Sequence, residues 1–305
     1  MYVEQGYKGQ IGLWKYLFIP LGFIALMVVN YILSLNMTTS TEDMMAQLID
    51  QFGTTLVFIL VVGPLSALLF VVWGWTKLVH QQTIRSLTTA RKKVDWKRIF
   101  FAFFLWGGLT TAMGFADILT RPEDFVWNFD SVKFAILVVV AVLLIPLQTS
   151  FEEYLFRGYI MQGLGIATKN RAIPLIATSV IFGLMHIANP EIGRLGYGLL
   201  VFYIGTGFFL GIITLMDDGL ELALGFHAAN NLFGALLVTA DWTAFQTDSL
   251  YIDTAEPELG LGILVPILIV YPILIFVFAK KYKWTDWSNK LFGRVLSRDE
   301  IALNK

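Results

Sequence analysis

Three groups of polar residues interrupt apolar stretches of this chain, and together they contain the residue types that hydrolytic chemistry requires. They are Glu152-Glu153-x-x-x-Arg157, Phe182-x-x-x-His186 and His227-x-x-x-Asn231. An ionisable side chain inside a membrane-spanning helix is costly unless it is paired or hydrated, so each group is a candidate functional site. The groups combine a carboxylate, two imidazoles and an amide, which can activate water and bind an oxyanion.

The two adjacent glutamates of the first group have different expected roles. On a helix, Glu153 and Arg157 are four residues apart with the acid first, which is the favourable order for an ion pair. Glu152 points about 100° away from Glu153 around the helix axis. We therefore interpret Glu153 and Arg157 as a buried structural pair. Glu152 has no evident local partner, so in this interpretation it faces a cavity and is suited to proton transfer near neutral pH.

The same residues support two mechanisms that the sequence leaves open. In the first, Glu152 and His186 deprotonate a water molecule that attacks a carbonyl carbon. His227 and Asn231, one helical turn apart, then donate hydrogen bonds to the developing oxyanion. In the second, His186, His227 and Glu152 are ligands of a zinc ion, although the local H-E-x-x-H signature is absent. Because asparagine is a poor zinc ligand, the position of Asn231 favours the metal-free mechanism.

Other reactive residue types are assigned no role in this chemistry. Covalent catalysis is disfavoured because the chain has no cysteine and Ser179 has no base in its local sequence. The third histidine, His80, lies in a basic hydrophilic stretch and is interpreted as a solvated surface residue. Asn230 is interpreted as pointing away from the helix face that His227 and Asn231 share.

The elements that hold these groups are predicted to be membrane helices. Of the 305 residues, 56% are apolar and only 15% are charged, and the mean hydropathy is +0.67. Soluble domains are about 25% charged and about 45–50% apolar. Apolar runs of about 20 residues, enough to cross a hydrocarbon core, recur along the whole chain. The composition therefore predicts an all-α polytopic membrane helix bundle, and the net charge of -1 indicates no nucleic-acid partner.

The apolar runs predict about eight transmembrane helices. They are Tyr16–Leu35, Leu56–Trp75, Ile99–Ile118, Phe134–Leu164, Ile173–Ile187, Tyr197–Met216, Leu220–Val238 and Leu259–Phe278. The fourth is too long for one straight crossing, and Pro146 gives a physical reason for a kink or break within it. We divide the chain into an N-terminal region of three spans at 1–131, a core of four spans at 132–240 that holds the three groups, and a final span with a basic tail at 241–305.

The charged loops predict how these spans are oriented. The loop 76–98 and the tail after residue 280 are rich in lysine and arginine, whereas the connection 241–258 has five acidic residues and no basic one. Basic loops remain on the cytoplasmic side of a membrane, so both termini are expected to be cytoplasmic. The chain is therefore predicted to be an integral multi-pass protein of the plasma membrane, or of the inner membrane in a bacterium.

This topology also predicts that the first two groups meet. Glu152 lies 17 residues before Lys169, in the turn between the fourth and fifth spans, and His186 lies 17 residues after it. Because each helical residue rises about 1.5 Å, both side chains reach the same depth in the bilayer. His227 and Asn231 are expected somewhat nearer the cytoplasmic side and facing the same cavity.

The three groups resemble the signature of the CPBP family of intramembrane proteases, which includes the type II CAAX prenyl endopeptidases and bacterial immunity-type members. The matching segments are Glu152-Glu153-Tyr154-Leu155-Phe156-Arg157-Gly158, Phe182-Gly183-Leu184-Met185-His186 and His227-Ala228-Ala229-Asn230-Asn231. The order and separation of the segments also fit. The resemblance covers about a third of the chain, from near Val138 to near Ala240.

The resemblance implies an intramembrane endopeptidase that acts on membrane-associated substrates. It implies catalytic roles for Glu152, His186, His227 and Asn231, with structural support from Glu153, Arg157 and Phe182. Family members are described both as metalloproteases and as metal-independent glutamate proteases, so zinc stays an open cofactor. The implied partners are membrane lipid and a peptide or protein substrate that is lipidated in part of the family. Cleavage of a prenylated C-terminal motif is a subfamily property and is not carried over.

Two other functions are compatible with the same residues. One is a non-catalytic membrane scaffold or immunity protein that keeps the fold. The other is a proton-coupled transporter in which Glu152 and the histidines relay protons. A transporter predicts charged residues lining a pathway on several spans and often internally repeated halves, and the sequence indicates neither.

Overall fold

This computed structural model describes residues 1–303, with the side chain of Leu13 excepted. The predicted basic tail runs to Lys305, so its last two residues lie outside the described residues. The α-helices are α1 (Leu13–Leu35), α2 (Thr41–Phe52), α3 (Thr54–Leu78), α4 (Ile84–Thr88), α5 (Trp96–Thr120), α6 (Ser131–Glu153), α7 (Met161–Thr168), α8 (Ala172–Leu184), α9 (Pro190–Leu195), α10 (Leu200–Asp217), α11 (Glu221–Leu237), α12 (Tyr271–Tyr282), α13 (Trp287–Phe292) and α14 (Arg298–Leu303).

Shorter elements connect these helices. There are 3-10 turns at Val3–Lys8, Pro122–Asp124, Tyr197–Leu199 and Leu261–Ile263, and π-helices at Tyr154–Ile160 and Pro266–Val270. The strands are β1 (Phe125–Trp127), β2 (Val238–Thr239) and β3 (Tyr251–Asp253). They form a small sheet in the order β1-β3-β2, in which β3 is antiparallel to β1 and parallel to β2.

The predicted all-α polytopic bundle is confirmed, but the count of eight spans is not. In residues 1–303, six helical segments are long and apolar enough to cross a membrane, namely Trp14–Leu35, Thr54–Leu78, Trp96–Thr120, Ser131–Thr168, Tyr197–Asp217 and Leu261–Tyr282. The predicted fifth span corresponds to α8, which has only 13 residues, and the seventh to α11, which has 17. The chain is an integral multi-pass membrane protein.

Local sequence sets the ends of the helices that carry the polar groups. The Asp130 side chain caps α6 by accepting hydrogen bonds from the backbone N–H groups of Val132 (2.9 Å) and Lys133 (3.0 Å). The chain reverses after α7 at Lys169 and after α10 at Asp218, both in the left-handed conformation with φ of 51° and 55°. A left-handed residue ends a helix because it cannot continue the right-handed hydrogen-bonding pattern. These two reversals lead into α8 and α11.

The helix of the fourth predicted span does not break at Pro146. Helix α6 continues through Pro146, and the change in hydrogen bonding comes after Glu153, where the π-helix Tyr154–Ile160 begins. Proline is tolerated within membrane helices because neighbouring groups satisfy the backbone that it leaves unpaired. Single-turn π-helices within α-helices are frequent at functional sites. The irregular turn therefore lies directly beside the two glutamates rather than at the proline.

One end of the bundle, which we call the basic face, holds the N-terminal segment, helix α13 and the arginine- and lysine-rich loop before α5. The Tyr2 backbone N–H donates to Asp218 Oδ1 (3.0 Å), and Lys290 Nζ contacts Asp218 Oδ2 at 2.7 Å. Arg91 Nη2 lies 3.0 Å from Asp217 Oδ2. These contacts bring the N-terminal segment, α13, the basic loop and the α10–α11 turn to the same face.

The other end of the bundle, which we call the sheet face, holds the β-sheet and the acidic connection before α12. Arg194 of α9 pairs with Glu256 of that connection at 3.1 Å and lies 3.8 Å from Glu42 of α2. The basic and acidic loops therefore separate to opposite ends of the long helices, as the predicted alternation requires.

Close packing holds α8, α10, α11 and α5 around the polar groups. A Cβ atom at Gly207 of α10 would lie 2.5 Å from the Ser179 carbonyl oxygen of α8, and one at Gly225 of α11 would overlap the Ile99 carbonyl of α5. Small residues let helix backbones approach closely, which is a common way for membrane helices to associate. The inner helices are therefore fixed tightly against each other.

The interpretation of His80 as a solvated surface residue is wrong. Its side chain is fully buried, with Nδ1 3.0 Å from the Gln10 carbonyl oxygen and Nε2 2.8 Å from the Tyr159 hydroxyl. Its ring also packs 4.2 Å from the Tyr16 ring. The basic stretch around His80 is hydrophilic, but it folds back against α1 and the π-helix, and sequence composition does not report that contact.

Candidate active site

One cavity of about 610 Å³ is lined by Glu152, His186, His227 and Asn231. Glu152 lies in the last turn of α6, His186 just beyond the C-terminus of α8, and the other two on one face of α11. The remaining wall is largely apolar and includes residues from α1 and α3, outside the segment that carries the three groups. The structure thus places the four predicted residues around one cavity, in agreement with the depths predicted from their positions along the helices.

Glu152 has a local partner that the sequence analysis overlooked. The Gln148 amide, one helical turn earlier, donates from Nε2 to Glu152 Oε1 at 2.5 Å. The other carboxylate oxygen, Oε2, lies 3.6 Å from His227 Nε2. Both Gln148 and Glu152 are almost fully buried and both line the cavity. The four-residue spacing places the two side chains together on a helix, but an uncharged glutamine does not by itself indicate a site.

Glu153 and Arg157 form the expected buried ion pair. Glu153 Oε1 accepts from Arg157 Nη1 at 2.9 Å, and both side chains are completely buried. Arg157 also donates from Nη2 to the Gly207 carbonyl (3.2 Å), and its guanidinium lies 4.1 Å from the centre of the Phe182 ring. The pair therefore ties α6 and the π-helix to α8 and α10, behind the cavity.

His227 lies between the two glutamates. Its Nδ1 is 2.8 Å from Glu153 Oε1, and its Nε2 faces Glu152. A carboxylate oxygen can only accept a hydrogen bond, so the Nδ1–H donates to Glu153. This contact fixes the ring and leaves Nε2 as the nitrogen that faces the chemistry. The contact between His227 and Glu153 joins residues far apart in the sequence and was not predicted.

His186 is oriented by its own helix. Its Nδ1 lies 2.9 Å from the Phe182 carbonyl oxygen, so Nδ1 carries the proton and Nε2 is left as an acceptor in the neutral ring. The ring stacks on Tyr203 with centroids 4.0 Å apart and planes 12° from parallel. Phe182 also packs edge-on against the His227 ring at 5.9 Å. The expected support from Phe182 thus takes the form of a carbonyl acceptor and an aromatic wall.

Asn230 does not point away from the site. It lines the cavity with Asn231, and its Nδ2 donates to Asn231 Oδ1 at 3.1 Å. Asn231 Nδ2 in turn donates to Gln148 Oε1 at 3.2 Å. Adjacent side chains diverge by about 100° around a helix, but the Asn230 side chain is long enough to reach its neighbour. With its oxygen and one N–H occupied, Asn231 retains a second N–H for a ligand.

A second carboxylate on the cavity wall was also missed. Glu191, in α9, lines the cavity, and its Oε1 accepts from the Ala244 backbone N–H at 3.1 Å. Burial raises the pKa of the Glu191 carboxyl above its usual range, and this hydrogen bond from Ala244 opposes the shift. Glu191 lies in a short connecting helix, where neither hydropathy nor a motif distinguishes it from a surface acid.

The residues of the cavity do not assemble a zinc site as they are arranged. Across residues 1–303, no group of three or more His, Cys, Asp or Glu side chains has positions suited to holding a metal ion. Glu152 Oε1 and the Nδ1 atoms of His186 and His227 are each engaged by other groups, which leaves Glu152 Oε2 and the two Nε2 atoms as the atoms open to a ligand. The site therefore provides no preformed ligand set from Glu152, His186 and His227, and no mechanistic step is derived through a metal.

Comparison with known proteins supports the same region. Residues 131–233 match the family described as type II CAAX prenyl endopeptidase Rce1-like. The chain is also 28% identical over 246 residues to uncharacterized protein YyaK of Bacillus subtilis, an alignment that covers 76% of this chain and 80% of the relative. No solved structure matches. The resemblance that the three groups indicate is confirmed over residues 131–233, and at the family level it supports a protease-type enzyme in a membrane.

Proposed function

We propose that this chain, whose residues 131–233 match the Rce1-like family, is an intramembrane endopeptidase that hydrolyses peptide bonds of membrane-associated substrates. The observation that carries the proposal is that Glu152, His186, His227 and Asn231 line one cavity, each with at least one polar atom left for a ligand. We also propose that the core 132–240 carries the chemistry, between an N-terminal region 1–131 and a final span and tail 241–305.

In the proposed first step, Glu152 and His186 activate a water molecule. His186 Nε2 accepts a hydrogen bond from the water, because the Nδ1 proton is already donated to the Phe182 carbonyl. Glu152 Oε2 accepts a proton from the same water, since Oε1 is occupied by Gln148. The resulting hydroxide attacks the carbonyl carbon of the scissile peptide bond.

In the second step, Asn231 and His227 stabilise the oxyanion that forms. The uncommitted N–H of Asn231 donates directly. His227 donates from Nε2 when its ring carries both protons, and its Nδ1–H is held by the Glu153 carboxylate. The proton held by Glu152 then passes to the leaving nitrogen, the C–N bond breaks, and a carboxylic acid and an amine are released, with Glu152 returned to its carboxylate form.

The remaining motif residues act through these four. Glu153 holds the His227 ring by accepting from Nδ1, and Arg157 holds Glu153. Phe182 orients His186 through its carbonyl oxygen. The apolar walls supplied by α1 and α3 suit a substrate segment that enters from the membrane. A lipid-modified segment would fit such walls, but the mechanism does not require one.

We further propose that the basic face is cytoplasmic, because positively charged loops are retained on that side. Reporter fusions in the loop 76–98 and in the connection 241–258 test this orientation. The first is expected to report the cytoplasm and the second the opposite side. Reporters found on the same side would contradict the topology.

The function is tested by comparing protein N-termini across the proteome of cells that carry either the wild-type chain or Glu152→Gln. New N-termini that depend on the wild-type chain and disappear in the variant support the protease. Identical sets of N-termini, with equal amounts of folded protein in both strains, would contradict it. A membrane scaffold predicts that second outcome with an unchanged phenotype, and a transporter predicts it with a lost solute flux.

A further inference from the structure

A continuous series of hydrogen bonds connects a tryptophan outside the family-matched segment to Glu152. Trp106 Nε1 donates to Asn230 Oδ1 at 3.1 Å. The series continues from Asn230 to Asn231 (3.1 Å), from Asn231 to Gln148 (3.2 Å) and from Gln148 to Glu152 (2.5 Å). Trp106 lies on α5, Asn230 and Asn231 lie on α11, and Gln148 and Glu152 lie on α6.

The direction of every bond in the series is set at its tryptophan end. An indole N–H can only donate, so Asn230 must present its oxygen to Trp106 and its NH₂ group to Asn231. Asn231 then presents its own oxygen to Asn230 and its NH₂ group to Gln148. Gln148 is oriented in the same way and must donate to Glu152. Reversing any amide would place two donors or two acceptors face to face at a buried site, which is costly.

We infer that this amide chain positions Glu152 and Asn231 for the reaction; its members are Trp106, Asn230, Asn231 and Gln148. The inference rests on the proposed protease function. Because Gln148 can only donate to Glu152 Oε1, that oxygen is reserved as an acceptor. A proton taken up from water must therefore reside on Oε2, the oxygen 3.6 Å from His227 Nε2. The chain also fixes which N–H of Asn231 remains free for the oxyanion.

The contacts of Trp106 make it suited to this positioning role. Its ring is largely buried and stacks on Phe226 with centroids 4.5 Å apart. Phe226 lines the cavity, so Trp106 lies behind the wall and affects the site through Asn230. Aligned hydrogen bonds polarise one another, so a donor at the far end strengthens the bond to the carboxylate. Helix α5, outside residues 131–233, thus contributes to the core's chemistry.

The test is a double-mutant cycle on Gln148→Met and Trp106→Phe, measured with internally quenched peptides in lipid nanodiscs. Gln148→Met keeps the side-chain length but removes both hydrogen bonds of the side-chain amide. It is expected to lower kcat about 10²-fold with KM unchanged. Trp106→Phe is expected to lower kcat several-fold. The double variant is expected to have the same kcat as Gln148→Met alone, because Gln148→Met already interrupts the hydrogen-bond series between Trp106 and Glu152.

Thr149→Val is the matched control. Thr149 is buried next to Gln148, and its hydroxyl donates only to carbonyl groups of its own helix. It is expected to leave kcat unchanged. Thermal unfolding checks that each variant folds. If Trp106→Phe does not fold, Asn230→Leu is used in its place. Losses that multiply in the double variant, losses in KM alone, or a folded Gln148→Met protein with wild-type kcat would overturn the inference.

A second measurement separates failure of this inference from failure of the protease proposal. Fluorine NMR of protein labelled with fluorotryptophan gives a Trp106 signal, which is assigned by its loss in Trp106→Phe. The signal is expected to move in Gln148→Met and to stay in place in Thr149→Val. If the wild-type protein cleaves no peptide, the protease proposal fails. The Trp106 signal then still shows whether the hydrogen bonds connect Trp106 to Gln148. A Trp106 signal unmoved by Gln148→Met would overturn the amide chain.

Discussion

Buried polar residues occur both on the basic face and around the cavity, and the two regions differ in how fully those residues are paired. On the basic face, Asp217 is bound by Arg91, Arg98 and the Trp284 indole. Glu221 pairs with Arg91 at 3.1 Å and also accepts from the Asp95 backbone N–H. Each of these carboxylate oxygens has a partner. We therefore interpret these contacts as structural, because they hold the loop before α5 against the α10–α11 turn.

The cavity contains the same residue types with some of their bonding capacity left over. The two histidines show the contrast most directly. His80 has polar partners at both ring nitrogens, whereas His186 is held at Nδ1 and keeps Nε2 for a ligand. Charge or burial alone therefore does not mark the site. What distinguishes it is a buried polar group whose remaining donor or acceptor faces an open volume.

The largest expected effect is on activity, from Glu152→Gln. This change keeps the size of the side chain but removes the base, so hydrolysis is expected to fall about 10²–10⁴-fold while the protein still folds. Initial rates on a quenched peptide and the thermal unfolding midpoint measure the two properties. Glu123→Gln, at an exposed acid on the sheet face, is the control. Near-normal turnover in Glu152→Gln would move water activation to another residue.

Breaking the pair behind the cavity is expected to affect folding instead. Arg157→Ala or Glu153→Gln leaves a charge buried without its partner, at a cost of about 3–5 kcal/mol of stability. The Asp117–Arg121 pair has the same four-residue spacing at 2.7 Å but is exposed, so Arg121→Ala should have a much smaller effect on stability, because solvent screens the exposed charges. Yields of folded protein and unfolding curves test this. Equal losses from both arginines would contradict the assignment.

Removing the proposed oxyanion donor is expected to have an intermediate effect on the chemistry. Asn231→Ala should lower kcat by about 10²–10³-fold, as loss of one such donor does in other hydrolases. KM should change little, because the hydrogen bond strengthens only as the oxyanion forms. Steady-state kinetics separate the two parameters. A rise in KM with unchanged kcat would instead make Asn231 a substrate-binding residue.

His80, which has partners at both ring nitrogens, provides a smaller, pH-dependent test. Burial lowers the pKa of His80 below its ordinary value of 6.5. The unfolded chain therefore binds this proton more readily, so the contribution to stability is present above about pH 6.5 and is lost as the pH falls towards the folded-state pKa. Thermal unfolding midpoints measured from about pH 7.5 to about pH 5.5, roughly one pH unit on either side of the ordinary histidine pKa, test this dependence. His80→Gln should flatten this dependence, and an unchanged slope would contradict it.

The smallest expected effect is that of metal removal. Because the cavity residues do not form a preformed ligand set, exhaustive chelation is expected to leave activity unchanged, and purified protein should contain substoichiometric zinc. Elemental analysis and peptide cleavage before and after chelation provide the measurement. One tightly bound metal per chain, with activity lost on its removal and restored by Zn²⁺, would make His186 and His227 ligands and overturn the metal-free mechanism.

The sequence by itself determined the membrane bundle, the location of the three groups and the Glu153–Arg157 pair. These follow from composition and from the fixed spacing of residues along a helix, which are local properties. The spacing of Gln148 and Glu152 was equally readable and was overlooked. The division of the chain into three regions and the cytoplasmic position of the termini stay predictions.

Only the tertiary structure decided how the groups are paired across helices. The burial of His80, the contact of His227 with both glutamates and the bond from Trp106 to Asn230 join residues that are more than 70 positions apart. Such contacts depend on which helix faces pack together and how closely. Here glycines such as Gly207 and Gly225 set that packing by allowing close backbone approach, and no local pattern specifies the partner that each glycine meets.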